Sequence, residues 1–458
     1  MTISTDYLVI GAGANGMAFA DTLLSETDAS ITIVDRNAQP GGHWTVAYPF
    51  VRLHQPSAYY GVMSRPLEIS PPNADGWAEL ATGPQIQRYF QAVMDEVFLP
   101  SGRVRYLPRS EYRDGEIVSL DSGTAEPVTV TRKTIEAGHL GGAVPANNKP
   151  AFPVDPKVRF APVNALGQLE PDVRRYVVLG SGKTGIDACL QLLDSGLSPD
   201  AITWVMPRDS WFLDRRFAQP TEQFYALKVR NARDENRALM QASDPDDLFR
   251  RLESTGNLLR LDPDVWPSAY KCATVTFQEL DRLRSIKAII RKGHVTEITA
   301  DRVALTNGEV PLDAQTLVVD CTASGIPDAP EPPIFQSDRI VMNGIRSCQP
   351  TFCAALLAHL EATMDDDTAK NDLCKIVPMP REPMDWLRMG FVNRQNQYAW
   401  MQSDDLRAWL KTCRLDVLTN MSKPQVVSDD LKAMQAEIRE TMIPSTMRMK
   451  QLIDMAGG

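Results

Sequence analysis

Long apolar runs are missing from this 458-residue sequence. No stretch approaches the roughly 18 apolar residues that mark a membrane-spanning helix. The first apolar run, Tyr7 to Ile10, is too short for the core of a secretory leader and leads straight into a glycine motif. Basic charge is also short. The 48 Lys and Arg stand against 58 Asp and Glu, a net charge of −10, and no block of like charge interrupts the mixture. That balance argues against nucleic acid as the main partner. Cysteine is sparse: 7 residues, odd in number and dispersed, a set that fits a reduced compartment rather than a disulfide framework. Histidine is rarer still, and no Cys/His cluster has the spacing of a metal site. These absences predict a cytoplasmic protein with no membrane span, no nucleic-acid partner and no metal. What remains is ordinary for a globular chain, 43% apolar and 23% charged, and long enough for two or three domains.

The informative feature is a glycine pattern that occurs twice. The first copy reads "YLVIGAGANGMAFADTLL" from Tyr7. A short apolar strand ends in Gly11-x-Gly13-x-x-Gly16, and helix-forming residues follow. Gly11 permits the tight turn, Gly13 lets backbone approach a pyrophosphate, and Gly16 lets the helix pack closely on the strand. The helix N-terminus then offers free N–H groups to phosphate. A second strand, "SITIVDR", ends at Asp35, about 20 positions after the glycines, where an acid accepts bonds from ribose hydroxyls.

Next comes "NAQPGGHWTVAYP". The order Asp35-Arg36, then Gly41-Gly42-His43-Trp44, resembles the class B flavoprotein monooxygenases, which include flavin-containing and Baeyer–Villiger monooxygenases. The resemblance implies that this stretch runs under an FAD, with the glycines Gly41 and Gly42 letting backbone pass close to the ribityl chain, Trp44 as a flat apolar wall and His43 among the cofactor-binding residues. It also places "FVRLHQPSAYYGV" near the isoalloxazine ring. His54 and Gln55 are therefore the candidates for flavin or substrate contact.

The second copy is "RRYVVLGSGKTGIDACLQLL", with Gly180-x-Gly182-x-x-Gly185. Two dinucleotides need two cradles, so the second is assigned to a nicotinamide. Its next strand, "AITWVM", ends without an acid and continues "PRDSWFLDRR". Arg208 there suits a 2′-phosphate, which favours NADPH over NADH. The resemblance extends to an Arg–Trp–Arg segment, here Arg208, Trp211 and Arg215.

The expected fold is α/β: two Rossmann-like dinucleotide-binding domains, the NADP domain inserted in the FAD domain, and a C-terminal helical region. The boundaries read 1–150 for the first part of the FAD domain and 151–300 for the NADPH domain, with a helical insertion at about 215–290. The chain returns to the FAD domain over 301–365, and 366–458 form a helical cap. By resemblance, "AGHLGGAVPANNKPAFP" leaves the FAD domain and "VVDCTASGIP" re-enters it, bringing Asp320 and Thr322 to the cofactor. The stretch "GIRSCQPTFCAALLAHLEA" reads as the final FAD-domain helix, with Phe352 beside the flavin. Cys348 and Cys353 in that stretch are read as core residues. The Met-rich C-terminal segment is read as core, with a homodimer surface as the alternative.

The resemblance covers roughly residues 5–360. It implies FAD, NADPH, O2 and a small-molecule substrate. Its chemistry is hydride transfer to flavin, followed by oxygen transfer from a flavin C4a-(hydro)peroxide. One departure limits it. The family's F-x-G-x-x-x-H stretch between the two fingerprints is absent, and the sequence there reads "AFPVDPKVRFAPVNALGQL". The cofactor architecture carries over and the substrate type does not, as for an outlying member. The alternative is an NAD(P)H-dependent flavoprotein reductase or dehydrogenase that inserts no oxygen. A third reading is a flavin-bound sensor without turnover.

Overall fold

Each glycine turn ends a parallel-paired strand of its own sheet. The computed structural model describes residues 2–68, 70–142, 144–325, 330–419 and 421–457. In the first sheet, strand Ile3–Ile10 lies in parallel between Ile31–Val34 and Ala125–Glu136, and Val104–Leu107 extends it beyond Ile31–Val34. The register Ile10 to Val34 brings Gly11 and Asp35 together at the carboxyl edge. Strands Ser110–Arg113 and Glu116–Ser119 add an antiparallel margin next to Ala125–Glu136. The helices Ala14–Glu26 and Pro350–Thr363 pack on each other against this sheet, in a core that includes Tyr7, Phe19, Ile33 and Leu356.

The second sheet has five strands, all parallel, in the order Ala288–Ile290, Ile202–Val205, Arg175–Leu179, Thr316–Asp320 and Phe160–Pro162. Strand Thr316–Asp320 thus corrects one boundary. The sequence reading placed it in the return to the first domain, but it pairs with Arg175–Leu179 in the second sheet. The chemistry fits: every residue of "TLVVD" is buried, as a strand covered on both faces requires. The chain rejoins the first sheet through the three-residue strand Arg339–Val341, parallel to Ala125–Glu136, and enters helix Pro350–Thr363 from there. Ala143, and Ile326 and Pro327 of the expected re-entry turn, lie outside the described residues.

The helical insertion and the C-terminal helices form one layer. Helix Tyr225–Gln241 packs along Asp429–Met455, and Pro383–Trp400 joins them. Their core holds Leu239, Phe249, Met389, Met449 and Leu452. Met389 and Met449 are buried, while Met442, Met447 and Met455 are exposed. Beneath this layer, Ser210–Asp214 pairs in parallel with Ala269–Val275. Strands Val295–Thr299, Arg302–Leu305 and Gly308–Pro311 form an antiparallel patch that shares a core with the second sheet. Among the described residues no helix is long and apolar enough to cross a membrane.

Candidate dinucleotide sites

At the first turn the backbone is packed to a tolerance that only glycine meets. Gly11 has φ 108°, and a Cβ on Gly16 would lie 1.9 Å from the Gly11 carbonyl oxygen. Gly42 rests on Gly13, where a Cβ would come within 2.9 Å of the Gly13 Cα. The Gly41 N–H donates to the Ala12 carbonyl at 2.8 Å. The segment after Asp35 therefore lies backbone against backbone on the turn. Helix Ala14–Glu26 starts at Gly13 with no side-chain cap and no acid in its first turn. Its N–H groups and positive dipole end are left open to an anion.

Asp35 clamps this turn. One carboxylate oxygen accepts the Ala12 N–H at 2.6 Å and the other the Asn37 N–H at 2.7 Å. Arg36 turns outward: its side chain is 78% exposed and pairs with Glu111 at 2.8 Å. Trp44 is buried, and its indole N–H donates to the Tyr60 hydroxyl at 2.7 Å. The His43 ring lies 4.8 Å from it, solvent-accessible but surrounded by protein, which lowers its pKa by desolvation.

A cavity of about 330 Å³ opens between Asn15 of the first turn and the start of helix Pro350–Thr363. Three side-chain atoms on residues of its wall are buried without a hydrogen-bond partner among the described residues: Asn15 Oδ1, Asn343 Nδ2 and Gln349 Oε1. Each such orphan costs about 1–3 kcal/mol. Three around one cavity point to a ligand that carries its own donors and acceptors. Met342, Met379 and Val377 supply apolar wall. Phe352 does not reach this space. It is fully buried against Trp400 and the Arg346 guanidinium, because its position on the helix faces the core. Cys348 is not a core residue either: it is exposed on the cavity wall and forms a disulfide with Cys272, 76 residues away. Cys353 is buried and free.

The second turn repeats the geometry. Gly180 has φ 113°, and a Cβ on Gly185 would lie 2.1 Å from the Gly180 carbonyl oxygen. A Cβ on Gly182 would meet nothing within 4 Å, and helix Lys183–Asp194 begins there without a side-chain cap. Asp320 and Thr322 belong to this turn rather than to the first, since the Cys321 N–H between them donates to the Leu179 carbonyl at 3.0 Å. Asp320 is buried and accepts the Thr322 N–H and hydroxyl at 2.9 and 2.6 Å.

The two turns share a connecting loop. Tyr48 donates its hydroxyl to Asp187 at 2.6 Å, and Asp187 also pairs with Lys183 of the second fingerprint. Further along the same loop, His54 is held well below the usual histidine pKa by burial and by the Lys183 and Arg215 cations. It is a neutral imidazole at pH 7, with Gln55 half-buried beside it. Arg215 is itself buried and donates to Glu279 and to the Thr274 carbonyl.

Arg208 is exposed at a second, polar cavity of about 380 Å³, with Asn343, Arg381 and Glu382 on its wall. Its neighbour Asp209 does not neutralise it. That carboxylate is buried and takes two bonds from Arg291, at 2.7 and 3.0 Å. Trp211 corrects the sequence reading. It is fully buried, stacked on Phe249 and edge-on to Trp266, and belongs to the core under the helical layer. Asn15, Asn343, Gln349, Lys183 and Tyr48 were not singled out in advance. Only Asn15 and Lys183 carried a signal, by lying inside the fingerprints.

Residues 9–54 match the NAD(P)-binding Rossmann-like domain family. Proteins described only as uncharacterized, from Mycobacterium tuberculosis and Mycobacterium bovis, are each 46% identical over 432 residues, 92% of this chain and 79% of theirs. The chain belongs to their family. Among solved structures, OTEMO in complex with FAD and NADP matches over 81% of this chain and 86% of its own, with a TM-score of 0.51 at 15% identity. The polycyclic ketone monooxygenase of the thermophilic fungus Thermothelomyces thermophila matches over 96% and 89%, with a TM-score of 0.51 at 12% identity. The fold is that of the two-dinucleotide flavoprotein monooxygenases.

Proposed function

We propose that this chain is an FAD-dependent, NADPH-using oxidoreductase, and more specifically a monooxygenase that transfers one oxygen atom from O2 to a small organic substrate. The observation that carries the reading is the pair of uncapped glycine turns joined by one loop, with a cavity of unsatisfied polar groups beside the first. OTEMO, which shares the fold, binds FAD and NADP.

In this reading the open N-terminus at Gly13 holds the FAD pyrophosphate, and Asp35 keeps the turn in shape for it. Asn15, Asn343 and Gln349, whose polar atoms are unsatisfied, would hold the flavin by hydrogen bonds. When bound, FAD supplies hydride acceptance from NADPH and the activation of O2. Gly182 and Lys183 receive the NADPH pyrophosphate, and Arg208 pairs with its 2′-phosphate. His54, being neutral, positions by hydrogen bonding and stores no proton. The Met342 and Val377 side of the cavity excludes water from the reacting centre. The test is turnover with NADPH under labelled O2 across amines, sulfides and ketones. One labelled oxygen in product supports the monooxygenase. NADPH oxidation that yields only peroxide with every substrate sinks it. The reductase alternative keeps one observation in its favour, the disulfide on the cavity wall.

A further inference from the structure

We propose that Cys272–Cys348 is a redox-active disulfide that accepts the electrons of NADPH at the cavity wall and passes them to a small-molecule disulfide. The proposal rests on the reading of that cavity as the flavin site.

Four observations converge on the pair. Both residues line the same cavity as Asn15, so the bond lies beside the first glycine turn. It is no part of a stabilising framework, because the other five cysteines are free and buried. Cys272 and Cys348 are both in the left-handed backbone region, at φ 52° and 57°. That conformation is costly for a residue with a Cβ and is more frequent at functional sites than elsewhere. Cys348 is exposed, immediately ahead of the N-terminus of helix Pro350–Thr363, and Lys271 stands on the same wall. A helix N-terminus and a nearby cation favour the thiolate, the reactive form.

The bond also joins two parts of the fold. Cys272 lies in strand Ala269–Val275 under the helical layer, and Cys348 leads into a helix of the first sheet. Its redox state therefore sets whether the two walls of the cavity are tied together.

The chemistry balances. NADPH and one proton reduce the S–S bond to two thiols and leave NADP+. The Cys348 thiolate then attacks one sulfur of a small aliphatic disulfide, forming a mixed disulfide and releasing one thiol. Cys272 attacks the mixed bond, re-forms Cys272–Cys348 and releases the second thiol.

The test is alkylation of the FAD-reconstituted full chain without oxygen, read by peptide mass. Before NADPH, Cys272 and Cys348 should take no label. After one equivalent of NADPH both should be labelled, and hydroxyethyl disulfide should return both to the unlabelled state. Cys348→Ser should leave Cys272 labelled from the outset. In the apo-protein, mixtures of reduced and oxidised dithiothreitol should open and close the pair reversibly. A pair that stays unlabelled while NADPH bleaches the flavin overturns this inference and leaves the FAD reading standing. A pair labelled from the outset in air-oxidised wild-type protein also overturns it. A chain that binds no FAD overturns both.

Discussion

Gly182→Ala separates cofactor contact from folding more cleanly than any other change in the second fingerprint. A Cβ at Gly182 meets no protein atom within 4 Å, and the residue has an extended backbone, φ −81° and ψ −176°, that alanine adopts freely. Alanine is a poorer N-cap than glycine by about 0.5–1 kcal/mol. It also lowers the entropy of the unfolded chain by about 0.4–1 kcal/mol, which offsets that loss. The melting temperature should therefore move by no more than about 4 °C. On the proposed assignment the methyl stands where the NADPH pyrophosphate would approach the helix N–H groups. Losing one charge-assisted hydrogen bond costs about 1.5–3 kcal/mol, so the Kd for NADPH should rise about 10- to 100-fold. Gly185→Ala is the contrast. Its Cβ would lie 2.1 Å from the Gly180 carbonyl oxygen, so the backbone must shift at a cost of about 3 kcal/mol or more. Thermal melts and NADPH titration by calorimetry read both effects. A folded Gly182→Ala protein with wild-type NADPH affinity would refute the placement of the pyrophosphate. A large drop in its melting temperature would refute the steric argument.

Three further outcomes are expected. Arg208→Ala should weaken NADPH about 10- to 100-fold and leave NADH unchanged, because only the 2′-phosphate contact is lost; equal losses for both nucleotides in parallel titrations would contradict the assignment. Trp211→Ala should cost about 3–5 kcal/mol in denaturant unfolding, since it empties a fully buried indole site, and should leave the NADPH affinity of the folded fraction intact. His54 has a lowered folded-state pKa, so below about pH 6.5 the unfolded chain takes up a proton that the folded chain refuses. Stability should then fall with decreasing pH by up to about 1.4 kcal/mol per unit from this group, and His54→Gln should flatten that fall in melts taken across pH 5 to 7.

The fingerprints were legible because close backbone packing leaves no freedom. Gly11, Gly16, Gly180 and Gly185 stand at fixed offsets from an apolar strand, and a Cβ at Gly16 or Gly185 has nowhere to go. The same logic exposed Gly41–Gly42, whose backbone rests on the first turn. Aromatic and basic residues after the second fingerprint carried no such constraint. Trp211 reads the same beside an arginine whether it faces a nucleotide or a core, and only its packing against Phe249 decides. Arg208 and Asp209 look like a cancelling pair in sequence, but Arg291, far along the chain, takes the acid away. The return strand Arg339–Val341 is three residues long, too short for a periodic signal, while the longer apolar run Thr316–Asp320 drew the boundary to itself. Asn343, Gln349 and the Cys272–Cys348 pair are brought to one cavity by chain crossings between sheets. Their spacing follows no motif, and nothing local marks them.

The most direct test of the central claim is anaerobic mixing of the FAD-reconstituted chain with NADPH, followed through the visible flavin absorbance. The account predicts one tightly held FAD per chain, bleached by NADPH beyond the one equivalent that Cys272–Cys348 takes up, with the rate lowered in Gly182→Ala through weaker binding rather than slower reduction at saturation. Failure to retain FAD, or a bound flavin that excess NADPH leaves oxidised, would contradict the assignment of two dinucleotides to the two glycine turns.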